Sequence, residues 1–252
     1  MSRVDFVQSL ERGLAVIQSF DADHPHLTLS EVAARTGLTR ATARRLLLTL
    51  GQLGYVSTTG RQFSLTPRVL DIGYAYLSSL NVQQIAQPYL EALSERVHES
   101  VSVTVLDGAD IVYIARVPTK RIMTISLGLG SRLPAYCTSM GRVLLAELEP
   151  DELDAALPAS LERHTERTVA TVADLAVVLK QVRAQGWALV DQELEMGLRS
   201  VAAPLRDASG RAVAAMNIST QVARTGLEQI HDELVPDLVA TAGRISESLA
   251  KR

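Results

Sequence analysis

The sequence predicts an all-α-rich winged helix-turn-helix domain followed by a larger α+β domain, and three observations predict it. The run LTLSEVAARTGLTRATARRLLLTL, Leu27 to Leu50, reads as two short helices joined by a tight turn at Thr36-Gly37-Leu38. The run YVSTTGRQFSLTP that follows reads as a β-hairpin. From Val82 onward, strand periodicity and helix periodicity mix along the chain.

Phe6, Leu10, Leu14, Ile17 and Phe20 recur at helical spacing, so residues 5–20 are expected to form an amphipathic helix that backs the helix pair and ends in the Asp-Ala-Asp-His-Pro turn at 21–25. Thr28 and Glu31 stand three apart, as a capping box requires, and Val32 and Ala33 supply the buried side of the next helix. Gly37 suits its end, because glycine takes a left-handed backbone without steric cost. Thr39 is placed to cap the second helix, and a helix pair with a short glycine-containing turn is a helix-turn-helix. In that second helix Ala43, Leu46, Leu47, Leu50 and Leu53 form one apolar stripe, while Thr39, Arg40, Ala41, Arg44, Arg45 and Leu48 lie round the rest. Its exposed side carries three arginines and no acid. Such a face can be a solvated basic surface, but it is also what a helix entering a DNA major groove needs, since guanidinium pairs with phosphate or with the O6 and N7 edge of guanine.

Tyr55 and Val56 on one side of a Thr-Thr-Gly turn, and Phe63 and Leu65 on the other, make the hairpin a wing beside the helix pair. Arg61, near its tip, is placed to reach the sugar-phosphate backbone or the minor groove. Thr28, Ser30, Thr39, Arg40, Ala41, Arg44, Arg45 and Arg61 are therefore the candidate contacts to double-stranded DNA. Pro67 fits the first turn of a new helix, and Val69, Leu70, Ile72, Tyr74, Tyr76, Leu77 and Leu80 make it rather apolar. The expected organisation is a winged domain over 1–66, a linker helix over 67–81 and a second domain over 82–252, for which the family resemblance given below implies effector binding and oligomerisation. The apolar linker can face a second subunit or pack on the second domain.

In the second domain, residues 82–98 read as a helix with Ile85, Tyr89, Leu90, Leu93 and Val97 inward and Pro88 at its start or at a bend. VSVTVL (101–106) and IVYIAR (111–116) flank an Asp-Gly-Ala-Asp turn, and IMTISL (122–127) reads as a third strand. After Gly128-Leu129-Gly130 a helix is expected from near Cys137 to Ser139 as far as about Leu148, with further helices over 151–157 and 171–185. WALV, LRSVAAPLRD and RAVAAMNIS are the last strands, and a helix runs from about Leu227 to the C-terminus. Helices flanking an antiparallel sheet of five or six strands describe an α+β domain.

Composition sets the bounds. A chain of 252 residues, 47% of them hydrophobic, can build one large or two ordinary cores. Residues 1–80 hold eight arginines, no lysine and six acids, a net +2, whereas residues 81–252 hold 17 basic and 22 acidic residues, a net -5. The positive charge sits with the helix pair but is modest, so oligomerisation is the natural way to accumulate phosphate contacts. Cys137 is the single cysteine, which rules out an intrachain disulfide and argues against a cysteine-rich metal site; no metal site and no cofactor are expected. The N-terminal run MSRVDFVQSLERG lacks an apolar signal core and no run of roughly 18 apolar residues is present, so a cytoplasmic protein without membrane association is expected.

The runs SLERGLAVIQSF, LTLSEVAARTGLTRATARRLLLTL, GSRLPAYCTSMGRVLLA and GWALVDQELEMGLRSVAAPLRDASG stand in an order and spacing that resembles the IclR family of bacterial transcriptional regulators over essentially the whole chain. The resemblance implies a GAF-like ligand domain behind the winged helix and a dimer or a dimer of dimers. SFDADHPHLTLSEVAARTGLTRATARRLLLTL and LPAYCTSMGRVLLA look like the Pca/Pob branch, which controls aromatic-acid catabolism through the β-ketoadipate pathway. That likeness implies a small aromatic or dicarboxylic acid as effector, such as protocatechuate, 4-hydroxybenzoate or β-ketoadipate. It also places Tyr136, Cys137, Thr138, Ser139 and Met140 on one side of an effector pocket, Asp191, Glu193, Leu198 and Ser200 on another, and Asn217 and Ser219 on the floor. Met140 stands where other members carry a small residue, which implies a reshaped pocket.

The residues agree in part. Thr138 and Ser139 at a helix start can offer free backbone N–H groups and the positive helix end to a carboxylate, or can simply cap the helix. An acid also wants a cation, and Arg116, Arg132 and Arg199 are the nearest candidates. Two rival readings set the contrast. One is a cysteine-dependent enzyme with Cys137 as nucleophile at a helix N-terminus. None of the five histidines falls in a catalytic or metal-binding motif, and no Walker loop, GxGxxG or HExxH occurs, so an enzyme is not expected. The other is a winged helix that binds protein and never DNA.

Overall fold

The structure, a computed structural model, describes residues 6–80, 82–119, 127–158 and 160–251. Its contacts separate two compact units, Met1–Ser79 and Leu80–Arg252.

The first unit contains α1 (Gln8–Gln18), β1 (Leu27–Thr28), α2 (Leu29–Thr36), α3 (Arg40–Gln52), β2 (Val56–Thr59), β3 (Gln62–Leu65), a 3-10 turn (Pro67–Val69) and α4 (Leu70–Leu80). The capping box forms as the spacing predicts: the Glu31 carboxylate accepts from the Thr28 backbone N–H at 2.7 Å, and the Thr28 hydroxyl accepts from the Glu31 N–H at 3.4 Å. Gly37 ends α2 at φ +66°, and Leu38 N–H returns to the Ala33 carbonyl. The hairpin is a three-stranded sheet ordered β1-β3-β2, because the short β1 ahead of α2 pairs Leu27 with Phe63. That strand is too short to show any periodicity. Val16, Phe20, Leu27, Val32, Ala43, Leu47, Leu50 and Val56 fill the core.

Two expectations about burial are corrected. Phe6, Leu10 and Leu14 are exposed, since only the last turn of α1, through Val16 and Ile17, and Phe20 just beyond it reach the core. Leu53 is exposed because α3 stops at Gln52 and Leu53 is already its C-cap.

The second unit runs α5 (Val82–Val97), β4 (Ser100–Asp107), β5 (Asp110–Val117), β6 (Arg132–Pro134), α6 (Ser139–Ala146), α7 (Pro150–Ala156), α8 (Val172–Gln185), β7 (Ala188–Asp191), β8 (Leu198–Arg206), β9 (Ala212–Gln221), α9 (Leu227–Gln229), a π-helical turn (Ile230–Leu234) and α10 (Val235–Ala250). Six strands form one antiparallel sheet, ordered β6-β5-β4-β9-β8-β7. The expected strand at 122–127 lies outside the described residues except for Leu127; the described edge partner of β5 is β6, where only the approach to a helix was anticipated. α5 and α10 pack together and onto the sheet, while α6 and α8 build a separate core with Ile111, Tyr113, Ala202 and Ala215. Pro88 lies inside α5 and is exposed. The expected C-terminal helix is broken into two by the π turn just before Pro236, a residue that cannot donate the backbone bond an unbroken α-helix needs.

One close approach fixes where α6 sits. A Cβ on Gly141 would lie 2.1 Å from the Ala135 carbonyl oxygen and 2.3 Å from its Cα, so only glycine lets the helix lie against the 135–138 turn. Gly→Ala inside a helix ordinarily stabilises by about 0.5–1 kcal/mol. Here overpacking against backbone reverses the sign, and Gly141→Ala is expected to cost about 1–3 kcal/mol, read as a lower urea midpoint with unchanged slope.

Candidate functional site

In the first unit the exposed row at the helix pair consists of Ser30 at the start of α2 and Arg40, Ala41, Arg44 and Arg45 on α3, with Arg61 in the tip of the wing. Thr28 and Thr39 are engaged as caps: the Thr28 hydroxyl donates to Glu31 at 2.8 Å and the Thr39 hydroxyl accepts from the Thr42 N–H at 3.3 Å. Two other arginines of this unit are occupied, Arg35 by Asp21 and Arg68 over the Tyr55 ring at 5.5 Å. Among the described residues no carboxylate pairs with Arg40, Arg44, Arg45 or Arg61, so their charge faces solvent. The arrangement can accept a polyanion.

In the second unit a cavity of about 630 Å3, counted out to its mouth, opens between the sheet and the start of α6. Arg116, Cys137, Thr138, Ser139, Met140, Leu198, Ser200, Asn217 and Ser219 all line it. Leu127, Leu133, Val190 and Leu194 add an apolar side, and Ser100, Ser102 and Tyr113 a polar one.

Five candidates do not line the cavity, each for a visible reason. Arg132 and Leu133 alternate on β6; Leu133 points in, and Arg132 points out to Asp107 at 2.7 Å and Asp110 at 3.1 Å. The Tyr136 hydroxyl donates to the Glu162 carbonyl at 2.5 Å, and its ring stacks on His164. Asp191 is held by Arg199 and Arg167, each at 2.6 Å. Burial opposes its ionisation, but the two arginines outweigh burial and keep the carboxyl below the usual range. Arg199, held in that pair, does not line the cavity, whereas Arg116 does.

Glu193 is turned away from the cavity into a buried pair. Arg142 Nη1 and Nη2 meet its two carboxylate oxygens at 2.6 Å each, and Arg142 Nε donates to the Tyr136 carbonyl at 2.9 Å. Val169 N–H also donates to Glu193 at 2.9 Å, and the Thr168 hydroxyl donates to the Glu193 carbonyl at 2.7 Å. This network ties α6 to the 165–169 loop and to the 192–197 segment, which sends Leu194 and Glu195 to the cavity instead. Gln192 adopts φ +64° there, a left-handed backbone uncommon outside glycine, and its side chain braces the loop through Gly197 N–H at 3.1 Å.

The start of α6 stays open. Thr138 occupies the N-cap position, yet its hydroxyl donates back to Pro134 and Ala135 carbonyls at 3.0 and 3.3 Å, and no side chain caps the first turn. An uncapped first turn beside a cavity is a place for an anion. Burial pushes the Cys137 thiol up to about 12 against the pull of the Arg142 guanidinium, and burial pushes the Tyr113 phenol up to about 12 as well. Both are neutral at physiological pH. Among the described residues no histidine hydrogen-bonds Cys137, whose sulfur lies 3.9 Å from the Pro134 carbonyl.

The family models complete the picture. The IclR helix-turn-helix domain matches residues 9–60, and the bacterial transcriptional regulator IclR C-terminal domain matches residues 74–247. The chain belongs to the IclR family. This regulator is 47% identical over 247 residues to the Pca regulon regulatory protein of Pseudomonas putida, covering 97% of this chain and 85% of that one. A crystal structure from Rhodococcus sp. RHA1, described as a transcriptional regulator, matches it with a TM-score of 0.87 at 59% identity over 98% of this chain and 99% of the other. The fold is shared at 23% identity and a TM-score of 0.86 with an IclR homolog of Microbacterium hydrocarbonoxydans complexed with 4-hydroxybenzoate, over 96% of this chain and 98% of that one. The relatives are named as transcriptional regulators.

Ser100, Ser102 and Tyr113 escaped the sequence reading, although a signal was present: Ser100, Ser102 and Thr104 alternate with Val101, Val103 and Val105 on β4. Arg142 left none, since GRVLLA reads as an apolar helix with one surface arginine.

Two expected outcomes follow from this geometry. Arg142→Met leaves the Glu193 carboxylate buried without its partner and is expected to cost about 3–5 kcal/mol in equilibrium urea unfolding, with Arg142→Met/Glu193→Leu recovering much of the loss; an unchanged midpoint in the single variant would contradict the pairing. A native thiol held protonated reacts slowly, so Cys137 labelling by an aromatic disulfide reagent at pH 8 should run at least roughly 100-fold slower than in urea.

Proposed function

We propose that this chain is an effector-responsive regulator of aromatic-acid catabolism, which reads operator DNA with α3 and the β2–β3 wing and takes a small aromatic or dicarboxylic acid in the cavity at the start of α6. The cavity carries the reading: the uncapped turn at Ser139 and Met140 and the guanidinium of Arg116 line it with features that suit a carboxylate, and Leu127, Leu133, Leu194 and Leu198 suit the carbon body. The name of the Pseudomonas putida relative and the 4-hydroxybenzoate held by the Microbacterium homolog support the same class of ligand. Met140 is buried against Thr104, whose hydroxyl donates to its sulfur at 3.4 Å, and so narrows the cavity where a smaller residue would widen it.

On the DNA side, Arg40, Arg44, Arg45 and Arg61 supply the contacts, joined by Ser30 and Ala41, with Thr28 and Thr39 presenting the helix starts. A dimer or a dimer of dimers brings recognition helices to half-sites separated by whole turns, about 34 Å each. Chromosomal DNA as partner places the protein in the cytoplasm. Effector binding acts by favouring one arrangement over another, and a coupling of about 1–3 kcal/mol changes operator affinity about 5- to 150-fold. The name of the 47% identical relative, a regulatory protein, fits a cavity that binds acids without turning them over.

Duplexes selected from a random pool by the full chain provide the test on DNA. Arg44→Ala and Arg45→Ala should each weaken binding of the selected duplex steeply, and an arginine that contacts phosphate should lower the slope of log K against log salt by about 1. Failure to select any sequence, with both variants indistinguishable from the parent, would leave the winged helix as a protein-binding module. A thermal-shift panel of aromatic and dicarboxylic acids tests the cavity: a true effector raises the melting temperature with concentration by mass action, whereas a flat response across the panel removes the acid reading.

A further inference from the structure

Asn217 lines the cavity and carries a buried polar atom left without a partner among the described residues. It sits on β9 opposite Ser102 of β4 and Ala202 of β8, 3% exposed, and lines the cavity. Its amide nitrogen donates to Ser200 Oγ at 2.9 Å and Ser219 Oγ at 3.0 Å, and Ser200 Oγ lies 2.6 Å from Ser139 Oγ at the first residue of α6. Its carbonyl oxygen Oδ1 is buried with no partner. Buried acceptors rarely stay unpaired, and one left so beside a binding cavity points to a ligand or a rearrangement that resolves it.

The chemistry of the three serines supplies the rearrangement. A hydroxyl both donates and accepts, so Ser200 and Ser219 serve either edge of an amide equally well. Half a turn of the amide about its terminal bond lets both hydroxyls donate to Oδ1, which ends its isolation, and turns the NH2 edge to where Oδ1 had been. In the empty cavity that edge has no acceptor. With an anion at the uncapped turn of α6, a single serine away, it gains one, whereas a carbonyl oxygen in the same place would repel the carboxylate.

We infer that Asn217 reads the charge of the effector: an acid turns its amide so that the NH2 edge binds the carboxylate and Ser200 and Ser219 change from acceptors to donors. The inference rests on the acid-binding reading of the cavity. It assigns to one residue the discrimination between an acid and its neutral amide. Asp at this position keeps the shape and can still accept from the two serines, but has an oxygen where the NH2 edge would be.

The experiment uses the full chain with 4-hydroxybenzoate and adipate as acids and 4-hydroxybenzamide and adipamide as their neutral counterparts, titrated calorimetrically. The parent is expected to prefer the acid of at least one pair by about 10-fold or more. Asn217→Asp should reverse that preference, because its carboxylate repels the acid and accepts from the amide NH2. Asn217→Ala, with neither edge, should bring the pair toward parity without reversing it, and it carries the test if the Asp variant does not fold. Equal acid preference in the parent and in the folded variants overturns the role of Asn217 while the acid reading stands. Loss of acid and amide to the same extent in Asn217→Ala assigns the residue a structural role only and overturns it as well. A parent that binds neither acid defeats the acid reading itself, and the inference with it.

Discussion

The second unit depends on the paired contact between Arg142 and Glu193. Two charges in the interior carry a large desolvation cost, which the bidentate geometry and the further bonds from Val169 N–H and to the Tyr136 carbonyl offset. Its value lies in what it connects. Arg142 is on α6, whose first turn forms one wall of the cavity, and Glu193 is on the segment that delivers Leu194, Glu195 and Leu198 to another wall. A charged pair of this kind has one good geometry, unlike a contact between leucines, so it fixes the two walls relative to each other. The glycine at 141 and the turned-back hydroxyl of Thr138 serve the same end from the other side, by letting the helix approach the 135–138 turn and keeping its first N–H groups open.

Much of the fold was legible because local signals and burial agree. Capping residues at Thr28 and Thr39, the left-handed Gly37 and the hairpin turn at Gly60 each act within a few residues, where sequence spacing is a direct measure of geometry. The cavity was legible through Ser139, Ser200 and Asn217, whose places the family's spacing supplied. Its other lining depended on pairing across long intervals. Whether Arg132 or Leu133 points inward is settled by the register of a three-residue strand against β5, and no periodicity can be seen in three residues. The fate of Glu193 is decided by Arg142, 51 positions away in the chain, and that of Asp191 by Arg199 across the β7–β8 pairing together with Arg167, 24 positions away, so both acids are engaged in ion pairs that no local spacing announces.

The two units divide the physical work. The first carries its charge outward, on arginines without carboxylate partners among the described residues, and keeps a small core beneath them. The second folds its charge inward, into pairs such as Arg142 with Glu193, Arg199 with Asp191 and Arg224 with Glu99. An exposed basic face suits a partner that is large, anionic and exchanged against salt. Internal pairs suit a small partner that must be surrounded.

The contact at Gly141 also bears on how such a cavity can change over generations. Position 141 is closed to every side chain larger than hydrogen, while its neighbour Met140 ends in the cavity against a hydroxyl that any smaller residue would release. Drift in the shape of the cavity is thereby channelled: it can pass through 140, or through Leu194 and Leu198 on the facing segment, without disturbing the helix whose first turn forms a wall. The rigid residue beside the variable one lets the regulator acquire a new signal while keeping the apparatus that transmits it.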